Sequence, residues 1–170
     1  MARATRKLFL AAPAVLLVIA VFAAFPMAFA SEETLLTLKN PRIDGRHGVI
    51  TFTRADLESL QQQEITTTND FIDGEATFRG PLAYALIDQI GRAGAKLVRL
   101  TAANDYFVDI AIQELLDYGA ILALEMNGKG LTTRDRGPIW LMYPIDQFEE
   151  LQNPSMNNRL IWQLKTIELQ

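Results

Sequence analysis

The sequence predicts an α+β domain built of mixed β-sheets with a few short helices, and three observations carry that expectation. Short apolar runs with strand-like spacing outnumber the helix-period segments, the two kinds are interleaved along the chain, and the clearest helix pattern directly follows a Gly-Pro step.

Taken in order, residues 35–38 and 49–52 read as strands joined by a turn over 40–48, which holds Pro41, Gly45 and Gly48. Thr53 is a helix N-cap with Asp56 in the third position of a capping box, opening a helix that carries Leu57 and Leu60 inward and ends near Gln62. Residues 65–68 are β-prone. Pro81 fits the first position of a helix whose Leu82, Ala85, Leu86 and Ile90 share one face, stopped at Gly91 or Gly94.

Strands over 97–101 and 107–110 flank the turn Ala102-Ala103-Asn104-Asp105-Tyr106, and a helix over 112–118 is ended by Gly119. The run 120–126 has the length of a buried strand, Asn127-Gly128 tolerates the positive φ of a tight turn, and 139–143 is a second apolar run closed by Pro144. A hairpin-like unit follows, with Arg134, Asp135, Arg136 and the Gly137-Pro138 step in its loop. Residues 146–151 read as a helical turn, Asn153-Pro154 as a break, and 164–169 as a closing strand.

Arg3, Arg6 and Lys7 precede an apolar run from residue 8 to about 25, and Ala28-Phe29-Ala30 has the small-residue spacing that signal peptidase accepts. Residues 1–30 are therefore expected to be a cleaved signal peptide and residues 31–170 a single exported, periplasmic domain; an uncleaved anchor is the alternative. The chain has no cysteine, which excludes a disulfide framework, a thiolate metal site and a cysteine nucleophile. Removal of residues 1–30 takes away three basic residues and no acidic ones, leaving 13 basic against 20 acidic, a net charge of −7 that argues against nucleic acid as a partner. His47 is the one histidine and lies in a Gly-rich turn, so neither a metal centre nor a Ser-His-Asp site is expected, and no catalytic residue is assigned.

Five pieces in order carry a resemblance: Phe78-Arg79-Gly80-Pro81-Leu82, then Ala103-Asn104-Asp105-Tyr106, then LALEMNG ending at Gly128, then GPIWLMYP from Gly137 to Pro144, then IWQLKTIE from Ile161 to Glu168. Together they resemble the molybdopterin-binding domain of the sulfite-oxidase superfamily over roughly residues 35–169. Three departures shape what the resemblance implies. Where enzymes of the superfamily hold molybdenum through a cysteine, this chain has Thr66-Thr67-Thr68, and a hydroxyl is a poor ligand for a soft, high-valent centre. Where Asp-Gly-Tyr is common, this chain has Asn104-Asp105-Tyr106, and where G-P-x-R is common it has Trp140, an aromatic surface in place of a cation.

The pattern resembles the cysteine-less PruR-type periplasmic pterin-binding proteins. That resemblance implies a reduced pterin (tetrahydropterin) as ligand rather than a catalytic cofactor. As partner it implies the periplasmic domain of a membrane-bound GGDEF/EAL-type protein that makes or degrades cyclic di-GMP. A molybdopterin-dependent oxidoreductase component and a ligand-free interaction module are the alternatives. A pterin shows a flat face and a guanidine-like edge with adjacent N–H donors, which a carboxylate accepts side by side, so Asp105 or Asp135 is the expected reader of that edge. Arg134 is favoured over Arg136 as the ligand-facing cation, Trp140 is the expected stacking platform, and Trp162 is more at home in a core. Asn104, Tyr106 and Thr67 complete the expected ligand-binding set.

Overall fold

The computed structural model describes residues 33–43 and 48–170; the expected signal peptide and His47 lie outside the described residues. The N-terminal part of the domain forms β1 (Leu36–Lys39) and β2 (Val49–Phe52), which pair antiparallel. α1 (Arg54–Ser59) follows, with the expected capping box: Thr53 Oγ1 accepts the Asp56 amide at 3.2 Å, and Asp56 Oδ2 accepts the Thr53 amide at 2.8 Å. The helix ends before Gln62 instead of near it. Leu60 is extended, the Gln62 side-chain amide donates to the Leu57 and Leu60 carbonyls at 2.8 Å each, and Gln62 itself opens β3 (Gln62–Thr67).

β4 (Ala76–Pro81) pairs antiparallel with β3 and leads into α2 (Ala83–Ile90). Pro81 does not begin that helix, as the sequence suggested; it is the last residue of β4, opposite Gln62. The Ala83 amide donates to Ala120 O at 2.9 Å, which keeps this corner bound to the neighbouring strand before the helix turns away. α2 buries Ala83, Leu86, Ile87 and Ile90 and stops at Gly91, whose φ of 73° suits a residue without a Cβ. Ala85, placed on the apolar face by the sequence, is exposed.

β5 (Leu97–Ala102) and β6 (Phe107–Ala111) form an antiparallel pair, followed by α3 (Ile112–Asp117). The expected single strand over 120–126 is two strands, β7 (Ile121–Ala123) and β8 (Glu125–Met126), separated at Leu124. Leu124 donates to Arg79 O at 2.8 Å and accepts from Leu131 at 2.7 Å, so the chain changes sheets there. Asn127 and Gly128, at φ 51° and 71°, make the tight turn into β9 (Lys129–Gly130), while β7 pairs antiparallel with β10 (Trp140–Met142). The expected hairpin is thus two nested antiparallel pairs.

β11 (Leu164–Leu169) closes the fold by running parallel to β1 and antiparallel to β5, giving a five-stranded sheet of order β2-β1-β11-β5-β6. The other sheets are β3-β4-β8-β9 and β10-β7. Alternation sets the faces of the large sheet: Leu36, Leu38, Val98, Leu100, Ile110 and Ile167 are buried, while Thr37, Thr101 and Thr166 lie on the other face. This is the α+β architecture of mixed sheets and short helices that the sequence predicted.

Candidate functional site

The site forms where three segments meet: residues 68–71 after β3, the β5–β6 turn over 103–106, and the stretch 151–163 before β11. The last of these contains the 3-10 helix Pro154–Asn158, with Asn153 as its cap. It then runs beside β10, with Leu141 N donating to Ile161 O at 2.9 Å, Leu164 N to Ile139 O at 3.1 Å, and Trp140 bridged to Trp162. Gln163, at φ 53°, ties two loops together: its carbonyl accepts the Ala103 amide at 2.9 Å, its own amide donates to Arg136 O at 3.1 Å, and its side chain donates to Thr133 O at 3.1 Å. The Asn-Asp-Tyr turn and the Arg-Asp-Arg loop are therefore held against one element, although they lie thirty residues apart in sequence.

Two cavities open on this junction. One, of about 310 Å³, is walled by Phe71, Asn104, Tyr106, Asn158, Leu160 and Trp162, within the size range of small-molecule sites. Its aromatic wall is ordered: the Phe71 and Trp162 centroids are 4.9 Å apart at 79°, the edge-to-face arrangement that ring quadrupoles favour. Tyr106 is half-exposed and its hydroxyl donates to Asn158 O at 3.3 Å, while the Tyr106 amide donates to Asn104 Oδ1 at 3.2 Å. The second cavity, of about 410 Å³, is polar, with Thr68, Asn69, Asp70, Asp146, Asn153 and Asn157 among its walls.

Asn104 and Tyr106 thus stand on the aromatic cavity. Thr67 is fully buried, its hydroxyl donating to Thr68 O at 3.2 Å and accepting the Asp146 amide at 3.3 Å. Asp105 holds the left-handed turn position at φ 65° and is exposed, outside the residues that wall either cavity. Arg134 and Asp135 sit on an exposed 3-10 turn, Thr133–Asp135, where Asp135 accepts the Thr132 hydroxyl at 2.7 Å and borders a separate depression with Met126 and Lys129. Neither is among the residues that wall the two cavities.

The burial of the two tryptophans is the reverse of what the sequence suggested. Trp140 has no exposed surface, donates its indole N–H to Leu160 O at 3.0 Å, and packs edge-on against Phe78 at 5.5 Å. A ring with no exposed face cannot stack on a ligand, and its place is the core. Trp162 is half-buried and presents its ring to the cavity. Behind this wall the Arg136 guanidinium lies 5.3, 5.7 and 5.8 Å from the Trp140, Phe71 and Trp162 rings, a cation seated among three π-faces. Arg136 is half-buried where Arg134 is exposed, because its φ of 65° turns the chain back toward Gln163.

The donor set does not fit a thiolate-held molybdenum. The Thr67 hydroxyl is buried and engaged on both sides, and among the described residues no cluster of three His, Cys, Asp or Glu side chains converges. Asp70, Asn157 and Asp146 are the polar groups sequence reasoning missed, since short polar residues in loops carry no periodic signal.

A comparison with curated protein sequences finds no match. Among solved structures the chain is similar to the sulfane dehydrogenase SoxCD from Paracoccus pantotrophus, with a TM-score of 0.60 and 16% identity over 79% of this chain and 37% of that one. The chain spans well under half the length of that protein, and at this identity the likeness speaks to the fold. The oxidoreductase molybdopterin binding domain matches residues 42–147, more than half of the sequence. By that match, the chain belongs to the oxidoreductase molybdopterin binding domain family.

Proposed function

We propose that this protein is a non-catalytic member of its family that binds a free reduced pterin in the periplasm. In this reading, the bound state is relayed to the periplasmic domain of a membrane-bound GGDEF/EAL-type protein, and so alters cyclic di-GMP synthesis or breakdown. The observation that supports binding is the aromatic cavity at Trp162, Phe71 and Tyr106 in a chain that has no cysteine to supply the metal thiolate redox chemistry would need. A flat bicyclic ring gains offset or edge-on contact with such a wall, and the Asn104 and Asn158 amides supply donors and acceptors at its edge. The relay to a cyclic di-GMP enzyme rests on the resemblance to PruR-type proteins alone.

Calorimetry of the purified protein with tetrahydropterins tests the binding. Saturable binding at submillimolar ligand that is lost in Trp162→Ala supports it; no heat at that concentration overturns it. The relay is tested by measuring cyclic di-GMP in cells that carry the membrane protein, with and without this chain and with and without pterin synthesis. A level that responds to neither removes the signalling half of the proposal.

A further inference from the structure

We propose that the outer face of the five-stranded sheet is a self-association surface, on which two copies of the chain pack face to face about a two-fold axis that runs along the strands between β11 and β5. This stands apart from the pterin reading, since no residue of that face walls either cavity. The strand registers line its side chains up in rows that cross the whole sheet. One row is Thr51, Thr37, Thr166, Thr101 and Phe107, and the next is Val49, Lys39, Glu168, Arg99 and Asp109. Each of these residues is exposed or half-buried.

The face carries more apolar surface than solvation alone requires. Of the five large apolar side chains exposed among the described residues, Val49, Leu97 and Phe107 lie on it, which gathers on one face what is scattered singly on an ordinary surface. Phe107 is also held in place. The Arg99 guanidinium sits 4.2 Å from its ring centroid and at the same time donates to both oxygens of Asp109 at 2.8 Å. Ring, cation and carboxylate are thus ordered before any partner arrives, which lowers the cost of association.

The charged row identifies the partner as a second copy. Across β1, β11, β5 and β6 its signs alternate: Lys39 positive, Glu168 negative, Arg99 positive, Asp109 negative. A row in that order is complementary to its own reversal. The two-fold axis sets Lys39 of one copy against Asp109 of the other and Glu168 against Arg99, each pair occurring twice. In the neighbouring row the same operation brings Phe107 to Thr37 and Thr101 to Thr166, a ring on a methyl group and hydroxyl on hydroxyl. The four charges sum to zero in a chain of net charge −4, so copies that repel elsewhere meet here without a like-charge penalty. Five strands at about 4.8 Å spacing make a face about 20 Å wide, which fits aligned sheet-on-sheet packing. An interface of that width is at the small end of specific contacts, so the pair is weak, with dissociation roughly in the tens of micromolar.

The test is sedimentation velocity of the purified protein over a concentration series that reaches the submillimolar range. The wild type is expected to pass from monomer to dimer across the series. Lys39→Glu and Asp109→Lys each place like charges together at two symmetry-related contacts, and each is expected to weaken the dimer at least tenfold. Mixed in equal amounts, the two variants are expected to pair within threefold of the wild-type affinity, because in the mixed dimer both contacts join opposite charges. Thermal melting checks that both variants fold as the wild type does. A wild type that stays monomeric throughout overturns the proposal. A dimer that neither charge reversal weakens also overturns it, since the copies then meet on another face. Variants that remain monomeric when mixed overturn the two-fold register.

Discussion

Asp146 holds Thr68 at both ends: its Oδ2 accepts the Thr68 amide at 2.6 Å and its Oδ1 accepts the Thr68 hydroxyl at 2.8 Å. The link spans 78 residues and fixes the end of β3 beside the polar cavity, where Thr68 is exposed and Thr67 is buried. Because the chain has no cysteine, single cysteines report this geometry without background. Thr68→Cys should react with a soluble disulfide reagent in the folded protein, whereas Thr67→Cys should react only on unfolding, a rate difference of roughly a hundredfold or more given the dependence on exposure. Similar rates in native buffer would mean that position 67 is as accessible as position 68 and is not buried.

The difference in burial between the tryptophans gives a second expectation. Trp140→Ala removes a fully buried ring and its hydrogen bond to Leu160 O, and should cost about 3–5 kcal/mol in urea unfolding. Trp162→Ala removes a half-buried wall residue and should cost less stability while lowering pterin affinity by tenfold or more. If Trp162→Ala proves the more destabilising of the two, the cavity wall is a core element and the assignment is reversed.

That contrast also marks where the sequence stops being informative. Strands β2 and β11 and the Thr53–Asp56 capping box were legible because alternation and capping are local chemistry, decided within a few residues. Both tryptophans sit in apolar runs, and which one faces a cavity is settled only when residues 160–164 lie beside β10. Arg134 and Arg136 are two residues apart, yet one is exposed and the other is folded among three rings by the backbone at position 136. Asp70 and Asn157 had no local signal at all, since their pairing depends on segments 87 residues apart. Family resemblance reached the fold, and of the expected residues Asn104 and Tyr106 wall the aromatic cavity while Trp140 is fully buried.

Tyr143 gives a pH dependence with a definite sign. Its buried hydroxyl donates to Glu114 Oε1 at 3.0 Å, and Glu114 also holds Arg159, one residue past the 3-10 helix that walls both cavities, at 2.8 Å. Burial first, and then the Glu114 charge, push the phenol well above its ordinary value near 10.0. Below that pH the native and unfolded phenols are both protonated and stability is full. Above it the unfolded chain releases the proton while the native one keeps it, so stability falls by about 1.4 kcal/mol per pH unit until the native group titrates. Tyr143→Phe should lower stability at pH 7 by about 1–2 kcal/mol through the lost hydrogen bond, yet show a shallower decline above pH 10. Urea midpoints measured from pH 7 to 11 check this, and parallel alkaline slopes for the two proteins would exclude Tyr143 as the source.

Gly80 tests the packing that brings β4 against β7. A Cβ built on Gly80 would stand 1.9 Å from Leu122 O and 2.9 Å from Ala123 Cα, so the obstacle is backbone and not a side chain that can swing aside. Gly80→Ala must therefore separate the strands, at a cost of about 3 kcal/mol or more, since overpacking against a fixed backbone lies at the upper end of such effects. Gly130 is the matched control: the nearest atom to its added Cβ is the end of the Arg54 side chain at 4.0 Å, and its backbone is not left-handed. Gly130→Ala should leave the thermal midpoint nearly unchanged. Because β7 pairs with β10, the strand carrying Trp140, displacement at Gly80 should also loosen the tryptophan cluster. Gly80→Ala is then expected to change the near-ultraviolet circular dichroism of the folded protein, and an unchanged spectrum with wild-type stability would mean that β4 and β7 are not in this contact.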